Sequence, residues 1–383
     1  MKVIQVVPSI LVEASGPSFS VPGLCRGLVE NGCQVELHFA DEMPKRQFEY
    51  PVFAHGRHNF PHPSLGRSPE MYKALKNACK EADIMHNNSF WMLPNVYPSW
   101  ARRGSACKLI NAPRGTLASW ALRHHSLQKK LFGMYAQYAA MAATDMWHAT
   151  CEKEYNEIRA AGYKQPVAVV PIGMDLPDTE FVLSYNKNGD GGSFRRLVFF
   201  GRLHKVKAVD NLILAWNNVA SEFNSWELLI AGPDGGVQGD LESAVREYNV
   251  PRVSFLGELH GKDKYKFLAS AELCVLPSYT ENFGVTVAES LACGTPVIAS
   301  QGTPWSGLVS NYAGWWIPVG VDSLARQLKE SLAMKEDQLH KMGENGRRWM
   351  KNDFAWKSIG NKMKLSYEWL LGRGDRPNWV FVD

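Results

Sequence analysis

The chain has 383 residues, of which 45% are apolar and 21% charged, and its formal net charge at pH 7 is +4. This length suggests two or three domains of ~150 residues each, and the composition excludes a disordered or fibrous protein. No stretch of the sequence approaches the ~18 consecutive apolar residues of a membrane span.

The chain opens as a β-loop-α-β unit. An apolar strand at Val3–Val7 leads through a glycine-bearing loop at 8–20 into a helix that ends at Asn31–Gly32, and Gln34–Phe39 is the next strand. Such units build a doubly wound parallel sheet. The first half also contains two short predicted strands and a long predicted helix, at Ile84–His86, Leu109–Asn111 and Leu117–Ala143.

Two absences from the sequence bear on the cellular compartment and on the state of the cysteines. The first residues already read as a strand and lack the order of charges and apolar residues of a signal peptide, so we expect a cytoplasmic protein. The seven cysteines are odd in number and contain no C-x-x-C pair. They therefore indicate buried free thiols rather than a metal site or a disulfide framework.

The span 84–144 lacks acidic residues altogether. Its 61 residues carry seven basic residues: Arg102, Arg103, Lys108, Arg114, Arg123, Lys129 and Lys130. We expect an anionic partner here, either phosphate groups or a lipid surface. A solvated basic face without a ligand is the alternative. Nucleic acid is not expected as a partner, because the sequence has no recognisable binding motif for it.

The pattern changes at 176–196, where Pro, Asn, Asp and Gly follow one another without a period, as in a linker. Short strands then alternate with helices again, which indicates a second parallel sheet. The predicted elements of this half are strands at 196–201, 226–232, 252–257, 272–278 and 296–300, with helices at 206–223 and 285–293. The sequence thus predicts two Rossmann-like α/β domains in tandem.

The strongest local signal is the segment SYTENFGVTVAESLACGTPVIAS at 278–300. A loop with Glu281 and Gly284 precedes a predicted helix at Val285–Cys293, and the free N–H groups at such a helix start can bind phosphate. Glu289 lies inside the helix, eight residues after Glu281. Carboxylates accept charge-assisted hydrogen bonds from sugar hydroxyls. Two solvated helix acids are the alternative interpretation.

A second signal is the segment VFFGRLHKVKAVDNLILA at 198–215, in which Arg202 and Lys207 flank the turn from a strand into a helix. A guanidinium fork and an ammonium group can together hold a diphosphate. They can also neutralise a departing nucleotide diphosphate without a metal. Taken alone, the pair is weak evidence, because a basic pair in a turn is more often solvated than functional.

These segments resemble the retaining glycosyltransferases of the group 1, family four, type, which have the GT-B fold. ENFGVTVAE at 281–289 matches the E-x7-E motif of that family, and GRLHKVK at 201–207 is similar to its Gly-Arg-Leu…Lys motif. Four further segments resemble the branch that builds bacterial surface polysaccharides, at 113–125, 148–155, 303–308 and 367–380.

The resemblance implies an α/β fold of two tandem Rossmann-like domains, with a cleft between them and a C-terminal helix that returns to the first domain. We expect residues 1–175 to form the acceptor domain, 176–196 the linker and 197–361 the nucleotide-sugar-binding domain. The tail, 362–383, is then expected to pack back on the acceptor domain.

The resemblance also implies roles where the residues match. Arg202 and Lys207 would bind the donor diphosphate, and Glu289 would bind the nucleotide ribose. The donor sugar would be held by Glu281 and by the backbone of the four residues that follow it, Asn282, Phe283, Gly284 and Val285. Together Glu281, Arg202 and Lys207 are the expected catalytic residues.

The first domain departs from the family pattern in two places. Gly16 would approach the donor phosphates, but it is followed by Pro17, which lacks an N–H group. Many family members have a histidine where this chain has Arg114, whose guanidinium cannot act as a base and would instead grip an acceptor phosphate. The expected acceptor-binding residues are His86, Arg114, Arg123 and His124. A structural capping role is the alternative for His86.

No D-x-D pair of carboxylates is present in the sequence, so we expect neither a metal ion nor a cofactor beside the nucleotide-sugar co-substrate. The retaining chemistry implied by the resemblance needs no protein nucleophile, because the leaving phosphate can take the acceptor proton. Glu281 is accordingly interpreted as a sugar-positioning residue, and the two-carboxylate logic of glycosidases does not apply.

The expected function is therefore sugar transfer from a nucleotide-sugar donor to a polyprenyl-diphosphate-linked saccharide in bacterial O-antigen, capsule or exopolysaccharide assembly. The span 84–144 would place the protein on the inner face of the cytoplasmic membrane as a peripheral protein. Two rivals stay open. They are a nucleotide-sugar epimerase on the same fold, which product analysis without an acceptor would reveal, and a non-catalytic nucleotide-sugar sensor, which a nucleotide-release assay would reveal.

Overall fold

The computed structural model describes residues 1–11, 16–58, 60, 62–117, 132–184, 194–281 and 283–382. The chain divides into two compact units. The first unit consists of Met1–Asp175 and Phe354–Asp383, and the second unit is Leu176–Asp353. Each is an α/β unit on its own mainly parallel sheet, so the predicted fold class of two tandem Rossmann-like domains is confirmed.

The first unit is built on eight strands: β1 (Lys2–Val7), β2 (Gln34–Phe39), β3 (Val52–Ala54), β4 (Ile84–Asn88), β5 (Lys108–Ala112), β6 (Met146–Ala149), β7 (Val167–Val169) and β14 (Val380–Phe381). They lie in the order β14-β7-β6-β5-β4-β1-β2-β3. Only β14 runs antiparallel to its neighbour among the described strands of this sheet. The strand order reverses between β1 and β4, and the ends of these two strands therefore border a crevice.

The helices of the first unit are α1 (Gly16–Glu30), α2 (Pro69–Ala78), α3 (Tyr97–Ala101), α4 (Tyr138–Ala142), α5 (Glu152–Ala160) and α14 (Trp356–Leu370). A π-helical turn, Gly133–Gln137, precedes α4. The returning helix α14 packs tightly against α1. A Cβ atom on Gly27 would lie 2.0 Å from the Trp356 carbonyl oxygen, and one on Gly360 would lie 2.2 Å from Gly27. Only glycine allows this close approach of two backbones.

The second unit is built on six strands: β8 (Arg195–Phe200), β9 (Trp226–Ala231), β10 (Val253–Gly257), β11 (Leu273–Leu276), β12 (Val297–Ser300) and β13 (Gly314–Ile317). They lie in the order β10-β9-β8-β11-β12-β13, and every described pair is parallel. The order reverses between β8 and β11. In open parallel sheets ligands bind at such a reversal, beyond the carboxyl ends of the strands.

The helices of the second unit are α6 (Thr179–Leu183), α7 (Val209–Val219), α8 (Gln238–Glu247), α9 (Gly261–Ala269), α10 (Val285–Ala292), α11 (Gly307–Ser310), α12 (Val321–Leu332) and α13 (Glu336–Asp353). Every residue of β11 and of β12 is buried, as expected for central strands covered by helices on both faces.

The seven cysteines are free thiols; six of them are buried, as predicted, whereas Cys151 is half-buried. Among the described helices, none combines the length and the apolar composition needed to cross a membrane.

Candidate functional site

The two motifs singled out in the sequence meet at the strand-order reversal of the second unit. Arg202 follows β8, and Glu281 follows β11, the neighbouring strand in the sheet. A Cβ atom placed on Gly201 would lie 4.0 Å from Thr286 Oγ1, in the first turn of α10. The loop after β8 and the start of α10 therefore border the same space.

Lys207 and Glu281 form an ion pair at the centre of this site. The Lys207 ammonium donates to Glu281 Oε1 at 2.5 Å, and Ser278 Oγ donates to the same oxygen at 2.8 Å. The two charged side chains are only 22% and 13% exposed. The Glu281 backbone N–H donates to the Gly302 carbonyl at 2.9 Å, which fixes the loop. The predicted diphosphate-binding and sugar-binding residues are thus direct neighbours.

Arg202 adds a second positive charge, and its side chain is exposed. Its stem lies over Gly235, where an added Cβ atom would approach Arg202 Cγ and Cδ at 3.0 and 3.1 Å. Within the described ranges, no acidic side chain forms an ion pair with Arg202. Its guanidinium is therefore available to an anion.

The start of α10 presents its N–H groups without a cap. Gly284, the N-cap residue, has a φ of 74°, and no described side chain caps the helix. The preceding carbonyl, of Phe283, accepts a hydrogen bond from the indole N–H of Trp305. This bond anchors the loop, and the uncapped N–H groups with the positive end of the helix dipole favour an anion. Asn282 lies outside the described residues.

Glu289 lies one turn inside α10 and pairs with Lys264 on α9. Lys264 Nζ donates to Glu289 Oε1 at 2.6 Å. Burial lowers the pKa of Lys264, but the charge and hydrogen bond of Glu289 outweigh burial and hold that pKa above its usual value. Sequence reasoning missed Lys264, because a lysine in a helix 25 residues from its partner carries no local signal.

In the first unit, Gly16 is the exposed first residue of α1, and a Cβ atom placed on it would meet nothing within 4 Å. Among the described residues, nothing therefore crowds the Cβ position of Gly16.

Arg114 lies just beyond β5, with a φ of 53°. Its Nε and Nη2 groups donate to Asn88 Oδ1 at 3.2 and 3.0 Å. Asn88, the last residue of β4, in turn donates to Gln5 Oε1 at 3.0 Å. The half-buried guanidinium is therefore held in place by a buried amide. Its Nη1 group has no hydrogen-bond partner among the described residues and can bind another group.

His86 is fully buried and belongs to a hydrogen-bonded chain. Its Nδ1 lies 2.7 Å from Tyr367 OH, its Nε2 lies 3.3 Å from His148 Nδ1, and His148 Nε2 lies 2.9 Å from the Val170 carbonyl. Because a carbonyl only accepts, His148 Nε2 carries the proton, His86 Nε2 donates to His148, and Tyr367 donates to His86. Both ring nitrogens of His86 are thus satisfied by protein atoms.

This burial corrects the expectation that His86 contacts an acceptor. Burial and the neighbouring His148 and Arg114 hold the pKa of His86 well below its ordinary value. Burial and Arg114 lower the pKa of His148 to about 3. His86 Nδ1 also lies 3.3 Å from Gln5 Nε2, so its imidazole is engaged by buried protein groups, as in the alternative of a structural role. The signal for this network was visible as polar residues within otherwise apolar strands.

Part of the positive charge of the acid-free span is neutralised by an acidic residue outside the span. Arg102 forms an ion pair with Asp145, immediately after the span, and Lys108 lies 3.8 Å from the same carboxylate. Two of the seven basic residues of the span are therefore paired with one aspartate. Arg123, His124, Lys129 and Lys130 lie outside the described residues.

The described end of the predicted 117–143 helix has an apolar outer face. Met134, Tyr135 and Tyr138 are 63%, 82% and 44% exposed. This region therefore presents aromatic and aliphatic groups directly after the basic part of the sequence.

Two family models match this chain. The model of glycosyl transferases group 1 matches residues 185–349, and the model of Glycosyltransferase Family 4 matches residues 15–177. Between them they take in most of both units.

A curated relative from Corynebacterium glutamicum, described as a GDP-mannose-dependent monoacylated alpha-(1-6)-phosphatidylinositol monomannoside mannosyltransferase, is 30% identical over 181 residues. The match covers 42% of this chain and 44% of the relative. The chain spans about a third to a half of the length of the curated relatives it matches.

Solved structures resemble the whole chain. HepE of Anabaena, solved in complex with UDP and glucose, has a TM-score of 0.67 at 16% identity, over 96% of this chain and 99% of that chain. The lipopolysaccharide outer core galactosyltransferase WaaB has a TM-score of 0.66 at 17% identity, over 95% and 98%. At these identities the likeness shows the fold.

Proposed function

The chain belongs to the group 1 glycosyltransferases with the GT-B fold, and from this premise we propose that it transfers a sugar from a nucleotide-sugar donor to a saccharide acceptor. The observation that carries the proposal is the 2.5 Å pair of Lys207 and Glu281. In a nucleotide sugar the anomeric carbon bears the phosphate, so the groups that hold the sugar and the diphosphate must be neighbours. Lys207 and Glu281 meet that requirement.

Donor binding divides among the elements of the site. Arg202, Lys207 and the start of α10 hold the diphosphate, because all three present positive charge or N–H donors to one space. Glu281 accepts hydrogen bonds from sugar hydroxyls, and Glu289 accepts them from the ribose. HepE was solved with UDP, and the mannosyltransferase is described as GDP-mannose-dependent, so UDP- and GDP-sugars are the first donors to test.

The proposed reaction retains the configuration at the anomeric carbon. The acceptor oxygen bonds to that carbon on the face from which the phosphate leaves, the carbon–oxygen bond to the diphosphate breaks, and the acceptor proton passes to the departing phosphate oxygen. Lys207 and Arg202 stabilise the negative charge that grows on the diphosphate. Glu281 positions the sugar and forms no covalent bond. No metal is required in this scheme, because the two basic residues supply the positive charge.

We propose a polyprenyl-diphosphate-linked saccharide of bacterial O-antigen, capsule or exopolysaccharide assembly as the acceptor. The Nη1 group of Arg114, which has no partner among the described residues, supports an anionic acceptor. The basic residues of the span 84–144, with the exposed side chains of Tyr135 and Met134, support a peripheral contact with an anionic membrane. This contact belongs to the inner face of the cytoplasmic membrane, where such carriers receive their sugars.

The test is a transfer assay. Purified protein is incubated with UDP- and GDP-sugars and with short-chain prenyl-diphosphate saccharides, and product is followed by mass spectrometry with and without EDTA. We expect an acceptor-dependent product of unchanged anomeric configuration, formed equally in EDTA. Conversion of the nucleotide sugar to its epimer without an acceptor would favour the epimerase instead. Nucleotide-sugar binding without product from any acceptor would favour the sensor.

A further inference from the structure

We propose that Lys264 is a positioning residue that holds the Glu289 carboxylate for the ribose of a bound nucleotide; this inference rests on the proposed function. Lys264 lies on α9, outside both sequence motifs. Its ammonium donates to Glu289 Oε1 at 2.6 Å. The two side chains are 21% and 13% exposed, so the pair is largely shielded from water.

Because they are shielded from water, Lys264 and Glu289 each depend on the other to compensate their charge. A carboxylate removed from water is costly unless an opposite charge and hydrogen bonds compensate it. Lys264 supplies both, and its own pKa is held above the usual value by Glu289 against the effect of burial. The lysine thus holds the Glu289 carboxylate in place through a direct hydrogen bond, and carboxylate oxygens accept hydrogen bonds from hydroxyl groups.

The same contact limits the orientation of the carboxylate. Oε1 is engaged by Lys264, whereas Oε2 has no hydrogen-bond partner among the residues that the structure describes. Helix side chains lean towards the helix start, which here is the uncapped start of α10 at Gly284. Oε2 is therefore the oxygen left for a ribose hydroxyl of the nucleotide whose diphosphate lies at that helix start.

Lys264 is itself restrained. Its ammonium lies 4.7 Å from the centre of the Tyr265 ring, a cation–π distance. These two contacts, to Glu289 and to the Tyr265 ring, fix the position of the ammonium group. Of the two partners, Glu289 is the one whose carboxylate can also bind a nucleotide. The inferred role is to support Glu289 and not to touch the nucleotide.

The experiment is a calorimetric comparison of nucleotides that differ only in the ribose. UDP and GDP, and their 2′,3′-dideoxy analogues, are titrated into the full-length wild type, Lys264→Met, Lys264→Arg, Glu289→Gln and the Lys264→Met/Glu289→Gln double variant. Lys266→Met is the matched control, since it removes the same charge from the same helix, where Lys266 lies 3.3 Å from Asp263.

We expect Lys264→Met to lower the affinity for the ribonucleotide that the wild type binds by about tenfold. The affinity for the dideoxy analogue of that nucleotide should fall by less than about twofold. The loss should shrink in the Glu289→Gln background, and Lys264→Arg should recover part of it. Lys266→Met should bind as the wild type does. Equal weakening of both nucleotides by Lys264→Met, or none, would overturn the inference while leaving the proposed function standing. A wild type that binds no ribonucleoside diphosphate, with ADP and CDP titrated after UDP and GDP, would overturn both.

Discussion

At the scale of single residues, the Lys207–Glu281 pair connects the chain's two motifs, 74 positions apart in sequence. We expect Lys207→Ala to lower turnover at least ~100-fold, about 3 kcal/mol of transition-state stabilisation, because the departing diphosphate loses its ammonium partner. Arg202→Ala should behave similarly. The measurement is kcat in the transfer assay.

Lys205→Ala is the matched control, since Lys205 is an exposed lysine in the 3-10 turn Lys205–Lys207, which also contains Lys207. It should retain wild-type turnover. Thermal melting of all three variants checks that the fold is intact. Wild-type kcat in Lys207→Ala would remove the lysine from the donor site.

The buried histidine pair makes a pH-dependent contribution to stability. His86 and His148 have pKa values below the ordinary 6.5 in the folded protein, and that of His148 is about 3. The unfolded chain therefore binds more protons below pH 6.5. The free energy of unfolding should fall as pH falls from 6.5 towards 3, by about 1.4 kcal/mol per pH unit for each such group. Above pH 6.5 the contribution is complete.

The measurement is hydrogen exchange of peptides from β4 and β6 between pH 7.5 and 4.5, corrected for intrinsic exchange rates, in the wild type and in His148→Gln. The slope of protection against pH should be smaller in the variant by about one proton. Identical slopes would show that His148 does not titrate upon unfolding.

At this scale the sequence located residues that the structure brings together, because Arg202 and Glu281 follow the ends of neighbouring strands and each motif is contiguous. It did not reveal partners that lie far apart along the chain. Lys264 on α9 donates to Glu289 on the neighbouring helix α10. Arg114 donates to Asn88, which in turn donates to Gln5 on the adjacent strand. Such contacts arise from folding topology, which short-range patterns do not contain.

At the scale of elements, the strands agree closely with their sequence patterns. Gln34–Phe39 is identical to its prediction, and β11 ends one residue before Pro277. The helix predicted at 206–223 is shorter, Val209–Val219, because a 3-10 turn at Lys205–Lys207 and a left-handed Ala208 precede it. The period of apolar residues does not distinguish a 3-10 turn from the first turn of an α-helix.

The α1–α14 contact yields a prediction about stability. An alanine methyl at Gly27 would lie 2.0 Å from the backbone oxygen of Trp356, so the two helices would have to separate. We expect Gly27→Ala to lower the free energy of unfolding by about 1–3 kcal/mol despite alanine's better helix propensity. The control, Gly239→Ala on α8, meets nothing within 4 Å and should be neutral or stabilising.

Urea unfolding of both variants gives the comparison. A stability of Gly27→Ala equal to or above that of the wild type would show that α14 does not pack on α1 as closely as the structure has it.

At the scale of the whole molecule, the proposed membrane contact depends on charge. Arg123, Lys129 and Lys130 lie outside the described residues, so the prediction rests on their charge alone. Each basic residue near an anionic bilayer contributes roughly 1 kcal/mol, and the attraction fades within a Debye length. We expect the protein to sediment with phosphatidylglycerol-containing vesicles at low salt and to be released as salt rises.

Reversal of Arg123, Lys129 and Lys130 to Glu should abolish this sedimentation. Reversal of Lys73, Lys76 and Lys80, three exposed lysines in and just after α2, makes the same change of net charge elsewhere in the first unit and should preserve it. Equal sedimentation with neutral and anionic vesicles, or none with either, would contradict an electrostatic membrane contact.

The proposed assignment places Glu281 at the sugar and Glu289 at the ribose of a nucleotide sugar bound by the second unit. Calorimetry of the wild type, Glu281→Ala and Glu289→Ala with UDP- and GDP-sugars and with the free nucleoside diphosphates tests it most directly. We expect Glu281→Ala to keep wild-type affinity for the free diphosphate but to lose the added affinity of the sugar, and Glu289→Ala to weaken both ligands alike. The reverse pattern, or unchanged affinities in both variants, would rule out these positions for Glu281 and Glu289.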